Sequence, residues 1–130
     1  MTKILPSGAE LQFAGPPFNE AVALLEAVLK EGQNFNLTLE SLKTLAKLNI
    51  DDILTADSFN QFKTMIIALL TSPQVLKALK SCGARALYNN SRLNNFECLE
   101  EEDKRQDYFF ILFNLAGQSL APFFKGLAIA

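Results

Sequence analysis

Apolar residues recur at helical spacing along most of this chain, and near its end they stop alternating with polar ones. From Phe18, the positions Ala21, Val22, Leu25, Val28 and Leu29 share one face of a helical wheel, with Glu20, Glu26 and Lys30 elsewhere; this is an amphipathic helix by its period. Pro17 suits its first turn, where no N–H is needed, and Gly32 suits a left-handed stop. A second helix is expected from Thr38, which can cap it while Leu37 and Leu42 form a hydrophobic staple, followed by Leu45 and Ala46 on the inner face. The stretch after it, NIDDILTAD, is less regular. Ser58 to Gln61 matches a capping box, and Phe59, Phe62, Ile66, Leu69 and Leu70 continue as the stripe of a third helix ending near Thr71. Ser72-Pro73 restarts the chain as N-cap and N1 proline, and Val75, Leu76 and Leu79 carry a fourth helix towards Gly83.

Period-two and turn signals occupy the remaining stretches. Short β-type runs flank Pro6-Ser7-Gly8 and predict a hairpin within residues 1–15, closed by the breaker Gly15-Pro16-Pro17. Residues 84–94, containing ALYNNSRL, read either as a loop or as a second short hairpin turning at Asn89-Asn90, since asparagine tolerates positive φ. A fifth, long helix is expected over 95–122. Asn95 would cap it, and Glu97, Glu100, Glu101, Glu102 and Asp103 would face the positive end of its dipole.

That last helix changes character at Tyr108. YFFILFNLAG is apolar on nearly every face, so it is either the central helix of a bundle or is covered by another chain. Gly117 could bend it, and Pro122 ends or kinks it. The closing LAPFFKGLAIA carries one charge, Lys125. Its residues after Pro122 either fold back on the core or meet a partner. The expectation is a mainly α, compact bundle of about five helices with a small N-terminal hairpin, all within one domain spanning 1–130.

Composition narrows the chemistry. At 130 residues and net charge −2 the chain is long enough for one core without staples. No uninterrupted apolar run is long enough to span a bilayer and the start lacks a secretion pattern, which reads as a soluble cytosolic chain away from membranes. Histidine is absent while phenylalanine occurs eleven times. The usual general base and metal ligand is therefore missing, and the composition favours apolar contact over polar catalysis. Cys82 and Cys98 lack metal-site spacing and read as reduced packing residues. No phosphate-loop, zinc-protease, esterase or calcium motif occurs. Asp51-Asp52 and the Glu100–Asp103 run could in principle form an acid/base pair or hold magnesium, but acids beside helix starts usually form solvated faces. Lys77, Lys80, Arg85 and Arg92 hint at a basic strip; a sequence pI near 5.1 argues against nucleic acid. No cofactor, metal or catalytic residue is expected.

GAELQFAGPPFNEAVALLEAVLKE, ALYNNSRLNNFE and RQDYFFILFNLAGQSLAPFFKGL together resemble the small tail assembly proteins of long-tailed bacteriophages and prophages. The resemblance covers both ends and one central stretch, and leaves 34–70 unmatched. It implies a small, helical, non-enzymatic tail assembly chaperone, acting in the bacterial cytoplasm and absent from the finished virion. Its partner would be the tape-measure protein, and it would self-associate as a ring or spiral. Pattern positions carried across are Pro17, Phe18, Asp107, Tyr108 and Pro122. Phe18 would be a first core anchor, and Phe109, Phe113, Phe123, Phe124 and Leu127 are the candidate partner contacts. A structural tail component, a head-to-tail adaptor and a small nucleic-acid-binding regulator are the alternatives.

Overall fold

A computed structural model of the protein describes residues 2–35 and 60–125. The predicted helix from Thr38, the Asp51-Asp52 pair, the Ser58 box with Phe59, and Leu127 lie outside the described residues.

The predicted N-terminal hairpin is present as β1 (Thr2–Ile4) and β2 (Glu10–Gln12), paired antiparallel with Lys3 opposite Leu11. Its turn closes with the Gly8 N–H on the Leu5 carbonyl at 2.8 Å, and Gly8 takes φ +90, a conformation that a Cβ would strain. The second hairpin also forms, from β3 (Leu87–Tyr88) and β4 (Ser91–Arg92), and Asn89 and Asn90 both take positive φ at its turn. The two hairpins are joined: β2 pairs antiparallel with β3, Leu11 facing Tyr88, to give one sheet of order β1-β2-β3-β4. Asn89 fastens the seam, its N–H donating to the Glu10 carbonyl at 2.8 Å while its side-chain oxygen accepts the Glu10 N–H at 2.9 Å.

Four α-helices lie among the described residues: α1 (Phe18–Gly32), α2 (Asn60–Leu70), α3 (Pro73–Cys82) and α4 (Tyr108–Phe124). They correspond to the expected first, third, fourth and fifth helices; the second, from Thr38, lies outside the described residues. In α1 the buried face runs through Ala21, Leu24, Val28 and Gly32, so it is rotated towards Leu24 and leaves Leu29 partly exposed. The α-helix ends at Gly32 as expected, but not through a left-handed residue: Gln33 stays right-handed and the chain continues into a 3₁₀ turn, Gln33–Phe35. Ile66, Leu69 and Leu70 of α2 and Val75, Leu79 and Cys82 of α3 are buried. Ser72 and Pro73 stand at the N-cap and N1 of α3, but the Ser72 hydroxyl donates backwards to the Leu69 carbonyl at 2.7 Å. Thr71 does likewise to Ile67, also at 2.7 Å, so both hydroxyls satisfy the outgoing carbonyls of α2.

The long helix predicted from Asn95 begins instead at Tyr108. Residues Asn94–Leu99 and Glu102–Asp107 form two 3₁₀ turns. Two backbone breaks forbid a continuous helix: Phe96 takes φ +65, and Glu101 is extended with ψ 134. The acidic run reinforces them, because like charges three or four residues apart repel on a helix. At the other end α4 passes through Pro122 and stops two residues later. The helix packs against α1, α2 and α3, which is why nearly all its faces are apolar. Buried side chains from the sheet, all four helices and the 3₁₀ turns between them form one core.

Candidate functional site

Helix α4 sorts the candidate partner contacts by depth. Phe113 and Phe124 are buried in the core, each burial stabilising the fold by about 1.5–3 kcal/mol. Neither is available to a partner from the described surface. Phe109 is 40% exposed near the start of the helix, and Phe123 is half-buried near its end. With 1.5 Å rise per residue these two lie about 21 Å apart. Leu112, Phe113, Ala116 and Leu120 between them are buried, so the exposed aromatic surface is split into two patches.

The first patch lies where α1 begins and α4 ends. Pro17, with φ −57 and ψ 153, is the N-cap of α1 rather than part of its first turn, and its carbonyl accepts the Ala21 N–H at 3.1 Å. That geometry sets Phe18 as the first helical residue. Phe18 is no core anchor: it is 71% exposed. Its ring instead meets Phe123, centroid to centroid 6.3 Å at a tilt of 49°, a separation at which aromatic pairs attract. Pro122 is exposed beside Phe123. An exposed aromatic step is thereby held on two helix ends.

The second patch lies at the start of α4. Tyr108 meets Phe109 at 5.4 Å and meets Phe96 edge-on at 5.9 Å and 87°. The Lys80 ammonium, from α3, stands 5.9 Å from the Phe96 ring centroid. Lys80, Phe96, Leu99, Glu100, Arg105 and Tyr108 line an open pocket of about 220 Å³. Of the four residues proposed as a basic strip, only Lys80 reaches it. Lys77 lines a different groove between α1 and α3, Arg85 donates to the Gly15 carbonyl at 3.4 Å, and Arg92 is exposed on β4. The acidic run is exposed, with Lys104 and Glu101 3.4 Å apart.

A buried polar centre escaped the sequence reading. Asp107 has no exposed surface. Its carboxylate accepts the Ser7 N–H at 2.9 Å, the Ser7 hydroxyl, and the Tyr88 hydroxyl at 2.6 Å. Hydrogen bonds of this kind are what make a buried carboxylate tolerable. The three residues come from the β1–β2 turn, β3 and the foot of α4, so they tie the sheet to the helices. Burial first, and then the neighbouring carboxylate, push the Tyr88 hydroxyl up to about 12, against a smaller downward pull from Ser7. The signal was a single acid directly ahead of an apolar helix; its partners, 100 and 19 residues away, had none.

The thiols are packing groups in different settings. Cys82 is buried and its sulfur lies 3.4 Å from the Glu20 carbonyl. Burial raises its pKa, and the Ser119 hydroxyl nearby partly offsets the rise. Yet Ser119 Oγ has no partner with hydrogen-bond geometry, so that contact is a loose one. Cys98 is half-buried, and burial raises it as well. Among the described residues no cluster of three metal-ligating side chains occurs, and no helix is long and apolar enough to cross a membrane. No protein-family model matches this chain, and neither a curated protein nor a solved structure matches it significantly.

Proposed function

We propose that this protein is a non-enzymatic tail assembly chaperone of a long-tailed bacteriophage, which binds the tape-measure protein through exposed aromatic side chains and self-associates along it. The observation that carries the reading is the Phe18–Phe123 step: two phenylalanines at a protein surface, with the apolar sequence Gly-Leu-Ala-Ile-Ala following Lys125. A long helical client exposes apolar stripes that aggregate, and a helper needs aromatic surface that can grip and release them. The proline on each side stiffens the local backbone, so little conformational freedom is lost on binding.

Co-expression with a tape-measure protein tests this. The intact chain is expected to keep the client in the soluble fraction and to copurify with it. Phe18→Asp, a surface substitution, is expected to abolish copurification while leaving the circular dichroism spectrum unchanged. A client that stays insoluble with the intact chain, or is retained equally by the variant, would remove the basis for the reading. Mass spectrometry of purified virions separates the chaperone from a structural tail part, which would be present in stoichiometric amount.

A further inference from the structure

The pocket at the foot of α4 has a composition that the aromatic step lacks. Its floor is the Phe96 ring, braced edge-on by Tyr108, and Leu99 adds an apolar wall. Two cations stand over it: Lys80 on α3 and Arg105 on the second 3₁₀ turn. Arg105 spends one N–H on the Glu100 carbonyl at 3.0 Å, which fixes the guanidinium and leaves its other donors for a ligand. Among the described residues no carboxylate lies within ion-pair distance of either cation. Glu100 shares the rim without pairing among the described residues, so the described lining carries a net charge of one positive.

The backbone adds an independent observation. Phe96 holds φ +65, a conformation that bulky side chains rarely adopt. Strain of this kind persists where the surrounding structure enforces it, and it gathers at sites that bind. Here it places an aromatic ring beneath an ammonium that has no acidic partner among the described residues.

We infer that this pocket binds the carboxylate of a glutamate or aspartate on a partner polypeptide, with apolar neighbours of that residue resting on Phe96, Leu99 and the exposed Phe109. A single carboxylate matches the single excess charge and can be held between an ammonium and a guanidinium fork. The apolar floor suits a side chain with aliphatic flanks. A phosphate, carrying up to two negative charges beside Glu100, suits it less. The pocket is separated from the Phe18–Phe123 step by most of the length of α4, about 22 Å, and requires no particular client.

The test uses the full chain and two blocked tripeptides, acetyl-Leu-Glu-Leu-amide and its isosteric neutral control acetyl-Leu-Gln-Leu-amide, titrated to about 10 mM while amide NMR shifts are followed. The Glu peptide is expected to shift Phe96, Leu99, Arg105 and Tyr108, with a Kd about tenfold or more below that of the Gln peptide, the scale of one charge-assisted hydrogen bond. Lys80→Gln and Arg105→Gln alter partly or fully exposed side chains, so each is expected to stay folded and to lose that preference. Equal binding of the two peptides, no shifts at these residues, or an undiminished preference in both variants would overturn the inference. So would inorganic phosphate or a single-stranded oligonucleotide shifting the same amides at lower concentration than the Glu peptide, which would assign the pocket to phosphate or nucleic acid.

Discussion

Tyr88 carries its hydroxyl into the core, where Asp107 accepts it, and that bond joins those from Ser7 in connecting the sheet to the foot of α4. Removing the hydroxyl leaves the carboxylate its two bonds from Ser7, so Tyr88→Phe is expected to cost about 1 kcal/mol at pH 7. The alkaline side is more diagnostic. The phenol titrates near 10 when unfolded and about 12 when folded, so folding favours its protonated form. That stabilisation is complete below pH 10 and is lost as pH rises from 10 to 12, on the order of 2 kcal/mol. Cys82, Cys98 and Tyr108 are also raised by burial and push in the same direction, but they are common to both proteins and cancel in the comparison. Urea midpoints at pH 7 and about 11.5 should therefore show the variant behind at neutral pH and level or ahead at the higher value. Parallel decline of the two proteins would mean that folding does not raise the Tyr88 phenol, and equal midpoints at pH 7 would mean that its bond to Asp107 does not bear on stability.

At the scale of elements, period and punctuation were legible wherever local sequence decides. Residues 18–32 and 73–82 are helical because apolar spacing, proline placement and charge agree, and Asn89-Asn90 turns because asparagine tolerates positive φ. The misreadings arise where distant contacts decide. Two-residue strands hold too little pattern to reveal that β2 would find β3, and dipole logic turned the acidic run into a helix that Phe96 and Glu101 break. Helix α3 ends at Gly83, where the apolar spacing placed its end. This glycine's φ of −80 suits any residue, and what it provides is room, since an added Cβ would stand 3.0 Å from Leu115 Cδ1 and 3.4 Å from Leu93 Cδ1. Both leucines are buried where α3 approaches α4. Gly83→Ala gains backbone rigidity in the unfolded chain, worth about 0.4–1 kcal/mol, but must displace packed methyls at about 1–3 kcal/mol. A net loss near 1 kcal/mol is expected, read as a fall of roughly 3–5 °C in Tm. A rise in Tm would show that Leu115 yields freely and that the α3–α4 contact is looser than it looks.

For the whole molecule, aromatic residues serve two opposed purposes, and neighbouring positions on one helix separate them. Phe124 is buried among the helices, whereas Phe123, one residue earlier, leans on an exposed Phe18. A sequence dense in phenylalanine gives no local sign of which ring faces inward, because burial is fixed by where α1 and α3 cross α4. The distinction can be measured. Phe124→Asp buries an unpaired charge at a cost of about 3–5 kcal/mol, comparable to much of the 5–15 kcal/mol that holds a domain together, so loss of cooperative unfolding is expected. Phe18→Asp places its charge in water and is expected to shift Tm by no more than a few degrees. If the Phe18–Phe123 step also joins copies of the chain, the same substitution should lower the molecular mass seen by light scattering at high protein concentration, because each contact would bury an aspartate. Contacts between unlike patches need not close, so the intact chain would then grow with concentration rather than stop at a dimer. An unchanged mass in Phe18→Asp, with the intact protein still assembling, would move the self-association surface off this step and leave the two rings to the client alone.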